Sequence, residues 1–447
     1  MTLDPHASTR RRPRIGTRPG PLAGLGLCVL LAALGNSLAP VALPALSRAF
    51  AAPFAGVQGV LVAYLAATTV GVVVAGRLGD ALGRRRVLLA GLALFALASI
   101  AAAAAPSLAL LVVARAGQGL GAAAITALAL AAVGDVVPLA RTGAAMGGLG
   151  TLSAIGTALG PTLGGALLAG AGWRAVFFAA VPLAAVALGL VWRHLPVGDA
   201  ADAGAKTPGA EGRAETSGAG AREGLPASAT MHALARDIAP GLAASLLASA
   251  VVMATLVVGP FYLARAFGLG PAHVGLVLTA GPLVSALVGF PAGRLVDRWG
   301  SARTTRAGLA AMAAGCALVA LSPLVAGVAG YVGPLVVLTA AYALFQAANN
   351  TAVVSTAGAG RRGAVSGLLG LARNLGLIIG ASAMGAVFAA AAGARELASA
   401  TPAQVSAGLH ATFGVAAALV LVALGISVLA IARGRGRGAA RVGVRLS

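Results

Sequence analysis

Charge is scarce in this chain. Charged residues make up 10% of its 447 positions, against about 25% in an ordinary soluble domain. Too few polar groups remain to cover a water-facing surface. Acids are the scarcest: 11 Asp and Glu stand against 32 Lys and Arg, a formal net charge of +21. Lys206 is the single lysine, and it follows Ala205. The phosphate-cradling loop G-x-x-x-x-G-K-[ST] is therefore absent, which excludes an ATP-driven pump of that type. Cysteine is limited to Cys28 and Cys316, both within apolar stretches, so there is no disulfide framework and no metal-ligand spacing. The five histidines, His6, His194, His232, His273 and His410, are scattered. An enzyme would need clustered acids, histidines or cysteines; none cluster, so no catalytic residue, metal or cofactor is expected. Aromatics are only 4% of the chain, which provides poorly for cation–π binding.

What is abundant is apolar and small. Hydrophobic residues reach 59%, the mean hydropathy is +0.94, and there are 64 glycines. A spanning helix needs about 20 mostly apolar residues, and twelve stretches qualify: 24–46, 57–76, 88–106, 108–133, 143–170, 175–192, 239–262, 274–291, 307–326, 331–354, 365–391 and 411–432. None contains an acid. Small residues let such helices approach closely in lipid. The first run follows Arg10, Arg11, Arg12, Arg14 and Arg18. A signal peptide has that flank too, but the run is longer than a signal core and more spans follow, so an uncleaved first helix is expected.

In a soluble protein a charge of +21 would point to nucleic acid. Here the arginines read as topology signals instead. With twelve spans, 26 of the 32 basic residues fall on one side, and 4 (Arg48, Arg174, Arg265 and Arg395) on the other. Arg115 and Arg373 lie within spans. The asymmetry predicts both termini in the cytoplasm and an even helix count. The expected architecture is all-α: a basic N-tail (1–23), a six-helix bundle (24–192), a flexible cytoplasmic linker rich in Ala, Gly, Glu, Pro and Ser (193–238), a second six-helix bundle (239–432) and a basic C-tail (433–447).

The two halves echo each other. Gly76-Arg77-Leu78-Gly79-Asp80-Ala81-Leu82-Gly83-Arg84-Arg85-Arg86 follows the second span, and Gly293-Arg294-Leu295-Val296-Asp297-Arg298-Trp299-Gly300-Ser301-Ala302-Arg303 follows the eighth. They match at the Gly, Arg, Leu, Asp, Gly and final Arg positions. Internal repeats of this kind suit two lobes that rock about a midplane site. The glycines are expected to allow a tight turn, with Asp80 pairing to nearby arginines or meeting a helix N-terminus.

This loop resembles the G-x-L-a-D-r-x-G-r-k loop of the major facilitator superfamily, and the layout and further motifs fit that family in order. The resemblance implies that Gly76, Asp80, Gly83, Arg84, Gly293, Asp297 and Gly300 latch the halves on the cytoplasmic side. Arg115-Ala116-Gly117-Gln118-Gly119-Leu120-Gly121 is similar to the R-x-x-Q-G-x-g motif. A charge within a span is costly, so Arg115 and Gln118, on one helix face, are expected to meet a cavity or a partner; snorkelling to the outer surface is the other reading. Gly147, Gly156, Gly160-Pro161 and Gly164-Gly165 fit the antiporter motif G-x8-G-x3-G-P-x2-G-G, which the family associates with exporters. Trp173-Arg174 with Phe177 resembles the W-R-x-x-F sequence that follows it.

In the first span, Leu34-Gly35-Asn36-Ser37-Leu38-Ala39-Pro40-Val41-Ala42-Leu43-Pro44 resembles L-D-x-T-I-V-N-V-A-L-P of drug exporters, but Gly35 stands where the family has an aspartate. Asn36 beside it is a candidate cavity residue. Tyr342, Gln346, Asn349 and Asn350 recur on one helix face and either contact substrate or bond to neighbouring helices. Arg373-Asn374 resembles the R-N-L-G pattern of drug exporters, with packing against the tenth span as the other reading. Without a carboxylate in the spans, Arg115 and Arg373 would favour neutral or anionic cargo.

The resemblance implies a monomeric drug:proton antiporter that exports small molecules by alternating access, with substrate, protons and the lipid bilayer as partners and nucleic acid as none. The replaced aspartate keeps a sugar or metabolite exporter, or a non-antiport facilitator, open as the alternative. The arginine-for-lysine bias is that of a GC-rich bacterial genome, so the expected location is a bacterial inner membrane. Reporter fusions at residues 1 and 447 should read out the same compartment; opposite compartments would break the even count.

Overall fold

The computed structural model describes residues 19–138, 141–196, 227–322, 326–357, 361–393, 397 and 400–443. Most of the expected linker and of the N-tail lies outside these residues, as does Glu396. Within lipid a backbone must satisfy its own hydrogen bonds, so an apolar span can only be a helix or a closed barrel. The described residues are helical with short connections: α1 (Pro19–Ser37), α2 (Ala39–Ala49), α3 (Phe54–Leu82), α4 (Arg84–Ala104), α5 (Leu108–Val136), α6 (Thr142–Phe178), α7 (Ala180–His194), α8 (Ala227–Ala266), α9 (Pro271–Trp299), α10 (Ser301–Ala320), α11 (Gly327–Ser355), α12 (Arg362–Ala392) and α13 (Pro402–Gly443).

These make twelve passages. α1 and α2 form one span, interrupted where Pro40 lacks the N–H that would bond Asn36. α6 holds the fifth span and the start of the sixth, because Gly172 breaks it at φ +77°. The sixth span continues through α7. Successive helices alternate direction, so Gly83, Gly300 and the connection before α12 gather at one end, which carries most of the arginines. We refer to it as the basic end.

The helices outrun the apolar stretches that announce them. α3, α5, α9 and α11 have 29 residues each, about 44 Å at 1.5 Å per residue, against a hydrocarbon core of about 30 Å. The polar loop after the second span is a case in point. Gly76 to Leu82 continue α3, and the turn is made by Gly83 alone, at φ +91°. Gly300 does the same after α9, at φ +78°. The expectation of a glycine-rich turn from Gly76 onward is therefore corrected: Gly76 and Gly293 are helical, and the repeat preserves one left-handed glycine per half.

Within each lobe, helices cross closely. A Cβ on Gly121 of α5 would stand 2.8 Å from the Gly91 carbonyl oxygen and from Phe95 of α4. Around this crossing Leu92, Phe95, Ile125 and Leu128 are buried. Larger side chains there force the backbones apart, and overpacking costs about 1–3 kcal/mol. Gly121→Leu should lower the melting temperature of the detergent-purified protein by several degrees, measured by the loss of monodisperse fluorescence on heating.

Candidate functional site

The halves α1–α7 and α8–α13 meet chiefly along two seams toward the end opposite the basic one, with α2 also lying against α8 and α9. In the first, α6 crosses α9. A Cβ on Gly165 would strike the Pro271 carbonyl and stand 3.0 Å from Gly275 Cα, and a Cβ on Gly275 would strike the Pro161 carbonyl. Thr162 and Thr279 share a hydrogen bond beside this contact. In the second, α3 meets α12. The Gln58 side-chain amide donates to the Ala381 carbonyl at 2.7 Å. Phe54 packs on Phe261 and Phe388, with centroids 4.8 and 5.7 Å apart. Gln58 and Thr279 lie four and eight residues from the starts of their helices, within about 12 Å of that end.

The basic halves of the same four helices do not touch across the lobes at their glycines. Gly76, Gly147, Gly148, Gly289, Gly293, Gly367 and Gly370 have no further atom within 4 Å of where a Cβ would sit. Asp80 and Asp297, expected in a latch, form no ion pair among the described residues. The ion pair that forms there is Arg84 with Asp135 at 3.0 Å, inside the first lobe. The latch residues Asp80 and Asp297 are thus not joined by an ion pair among the described residues in this conformation, and the glycines of the basic halves have open space beside them.

The motif glycines of α6 divide between two tasks. Gly156 and Gly160 pack on α1 and Gly164 on its junction with α2: a Cβ at each would meet Leu30, Ser37 and Leu38 respectively. Ser37 Oγ also donates to the Gly156 carbonyl at 3.2 Å. Gly165 and Pro161 face the other lobe instead, and Gly147 faces open space.

Arg115 and Gln118 are placed away from that open space. Arg115 is 1% exposed. Its Nε donates to the Val60 carbonyl and its Nη1 to the Gly35 carbonyl, both at 3.1 Å, and to Gln118 Oε1 at 2.9 Å. Gln118 passes the chain on to Ser99 at 2.7 Å. The guanidinium lies 4.2 Å over the Tyr64 ring and 5.9 Å from Phe177 of the W-R-x-x-F segment. The reading of Arg115 and Gln118 as cavity residues is corrected: they tie α1, α3, α4 and α5 together. Where the resemblance would put an aspartate, a Cβ on Gly35 would stand 2.8 Å from Phe95. That position is built for a glycine whose carbonyl faces the arginine.

Of the other candidates, Asn36, Asn350 and Arg373 are exposed, whereas Asn349 is buried. Asn36 is exposed midway along the first span, although α1 presents no exposed large apolar side chain as the lipid-facing helices do. In the second lobe, Gln346 donates to the Tyr342 hydroxyl at 3.3 Å, which bonds Ser249. Asn349 turns to the Gly241 carbonyl of α8 at 3.0 Å, a helix–helix bond. Gln346, Asn350 and Arg373 instead line a cavity of about 180 Å3, together with Ser245 and Ser366. Sequence reasoning missed Gln58, Thr162, Ser245 and Ser366. Gln58 carried the signal used elsewhere, a lone amide in an apolar run; the hydroxyl residues carried none, since such residues bond their own helix throughout the chain.

The sequence profile described as Major Facilitator Superfamily matches residues 25–381 and again 242–445. The chain is similar to the uncharacterized transporter YebQ of Escherichia coli, 29% identical over 82% of this chain and 88% of the relative. It is also similar to the multidrug efflux pump LfrA of Mycolicibacterium smegmatis, 30% identical over 83% of this chain and 80% of that one. Among solved structures, a bacterial homolog of the human lysosomal transporter Spinster, inward-facing and unoccupied, superposes with a TM-score of 0.72 at 18% identity, covering 93% of this chain and 98% of the other.

Paired cysteines read out the seams. Thr162→Cys with Thr279→Cys should cross-link readily under copper phenanthroline in the resting protein, whereas Gly76→Cys with Gly293→Cys should not. Gel mobility after cleavage within the central stretch distinguishes the two.

Proposed function

This chain belongs to the Major Facilitator Superfamily, and we propose that it exports small drug-like or metabolite molecules across the cytoplasmic membrane by alternating access. The family is one of membrane transporters, and an established relative is a multidrug efflux pump. The observation that carries the mechanism is the asymmetry of the lobe junction. Inter-lobe hydrogen bonds and glycine contacts lie toward one end, while the glycines in the basic halves of α3, α6, α9 and α12 have open space beside them; that asymmetry supports a gap open at the basic end. By the positive-inside rule the basic end is cytoplasmic, so this conformation takes cargo from inside. Export follows when the lobes rock: the seams at Gly165–Gly275 and Gln58–Ala381 part, and the loops around Asp80 and Asp297 close.

The residues support a division of labour. Gly156, Gly160 and Gly164 let α6 lie on the first span, so the first lobe moves as a unit. Arg115 stiffens that lobe with bonds that need not change during the cycle. Asn36 faces the gap from the first lobe, and Gln346, Asn350 and Arg373 from the second. The protein acts as a monomer, since each lobe supplies one wall.

The driving ion in this proposal is the proton. The described carboxylates, Asp80, Asp135, Asp237 and Asp297, all sit toward the basic end rather than mid-span. The candidate proton carriers are Asp80 and Asp135; Asp135 pairs with Arg84, and Asp80 forms no ion pair among the described residues. Purified protein in liposomes, screened with a dye panel, should accumulate substrate only when an outward-directed pH difference is imposed. Asp80→Asn should reduce that accumulation at least several-fold. Equal flux with and without the gradient would instead favour the facilitator alternative.

A further inference from the structure

Resting on the export proposal, we infer that the cavity around Arg373 is a subsite for an anionic group on the cargo, a carboxylate, sulfonate or phosphate. The chain carries two arginines within its spans, and they differ in one respect. Arg115 is buried and bonded to two carbonyls and an amide. Arg373 is exposed and has no hydrogen bond or ion pair among the described residues.

Its direction follows from helical geometry. Leu368, Leu371, Leu375 and Ile379 form an exposed apolar stripe on α12. Residues two positions apart on a helix lie about 200° apart around it, so Arg373, two from Leu371 and two from Leu375, points away from that stripe. On the same helix Gly376 and Gly380 press on the Leu246 and Ala250 carbonyls of α8, and Gly385 lies on Gln58 of α3. Arg373 lies between the α8-facing and α3-facing sides, hence toward the protein interior. It is a cation facing the gap.

The surroundings fit an anion. Ser366 lies seven residues before Arg373 on the same face, and Gly370 between them leaves open space where a side chain would stand. Gln346 and Asn350 face across from α11, and Ser245 closes the floor from α8. The guanidinium fork matches a carboxylate or phosphate edge in a bidentate pair, while the hydroxyls and amide N–H groups can donate to the remaining oxygens. Val354 and Leu369 on the wall suit an apolar body attached to the charged group. The described carboxylate on α8, Asp237, lies about two turns away from Ser245 toward the basic end. A cationic cargo would find no counter-charge on this wall.

The test uses three xanthene dyes of similar size: anionic fluorescein, a neutral rhodol and cationic rhodamine 6G. Purified full-length protein in phosphatidylcholine nanodiscs is titrated by fluorescence anisotropy, and flux is followed in liposomes. Fluorescein should bind most tightly, and Arg373→Gln should weaken its binding at least tenfold while changing rhodol binding less than twofold. Gly370→Leu, which fills the space without altering charge, should weaken fluorescein binding comparably. Fluorescein binding unchanged in Arg373→Gln, or preference for rhodamine 6G, overturns the subsite while leaving export intact if any dye is carried. Arg373-dependent fluorescein binding without flux upholds the subsite and removes the export proposal; neither binding nor flux removes both. Displacement of fluorescein by added phosphatidylglycerol would assign the pocket to a lipid headgroup and overturn its assignment to cargo.

Discussion

Two backbones touch where α6 crosses α9, and the arrangement of the lobes depends on that contact. Gly165 and Gly275 meet with no side chain between them, and the carbonyls of Pro161 and Pro271 lie where their Cβ atoms would go. In lipid there is no hydrophobic force between helices, because the surrounding tails are as apolar as the side chains. Association then rests on close packing and on the few hydrogen bonds available. A seam of this kind is tight. It holds one end of the gap shut, supported by the Thr162–Thr279 and Gln58–Ala381 bonds, and leaves the other ends of the same helices free to separate. A seam built from large interlocking side chains would have to unpack before it moved. One built from bare backbone has little to unpack.

The two intramembrane arginines show how one residue type serves opposite purposes. Arg115 has its charge spread over two carbonyls, an amide oxygen and the Tyr64 ring. Those acceptors are available because Gly35 leaves room and because α3 and α5 approach closely at Gly119. Arg115 Nη2 is buried without a hydrogen-bond partner among the described residues, but the guanidinium is closed off from the gap, and its value lies in joining four helices. Arg373 has no such cradle. Its helix pairs with α8 through glycines at 376 and 380, which brings the backbones together but leaves the flank beside them open. The cation there depends on the gap for its solvation, and a bound anion would replace that water.

Much of the fold was legible in the sequence. Twelve apolar stretches, an arginine bias and a repeated loop suffice for twelve helices in two related halves, because apolar backbone in lipid has few other options. The helix ends were less legible: α3 continues to Leu82 because helical geometry costs nothing extra outside the hydrocarbon core, and only the left-handed glycine at 83 stops it. The site was legible as a set of residues and not as roles. Gly160, Gly164 and Gly165 read alike in the sequence, yet two face the first span and the third faces the other lobe. Asn349 and Asn350 are neighbours, yet one bonds to α8 and the other lines the cavity.

What the sequence by itself determined is the solvent this chain requires, the number of helices and the alternation of basic and non-basic ends, since each follows from hydropathy and charge counted along the chain. What only the tertiary structure decided is which end of the gap is shut, which arginine is spent on packing and which is left facing the gap. Those depend on how far apart two helices stand at a given height, and that distance is set by pairs of residues hundreds of positions apart, such as Gln58 and Ala381, whose meeting no local pattern records.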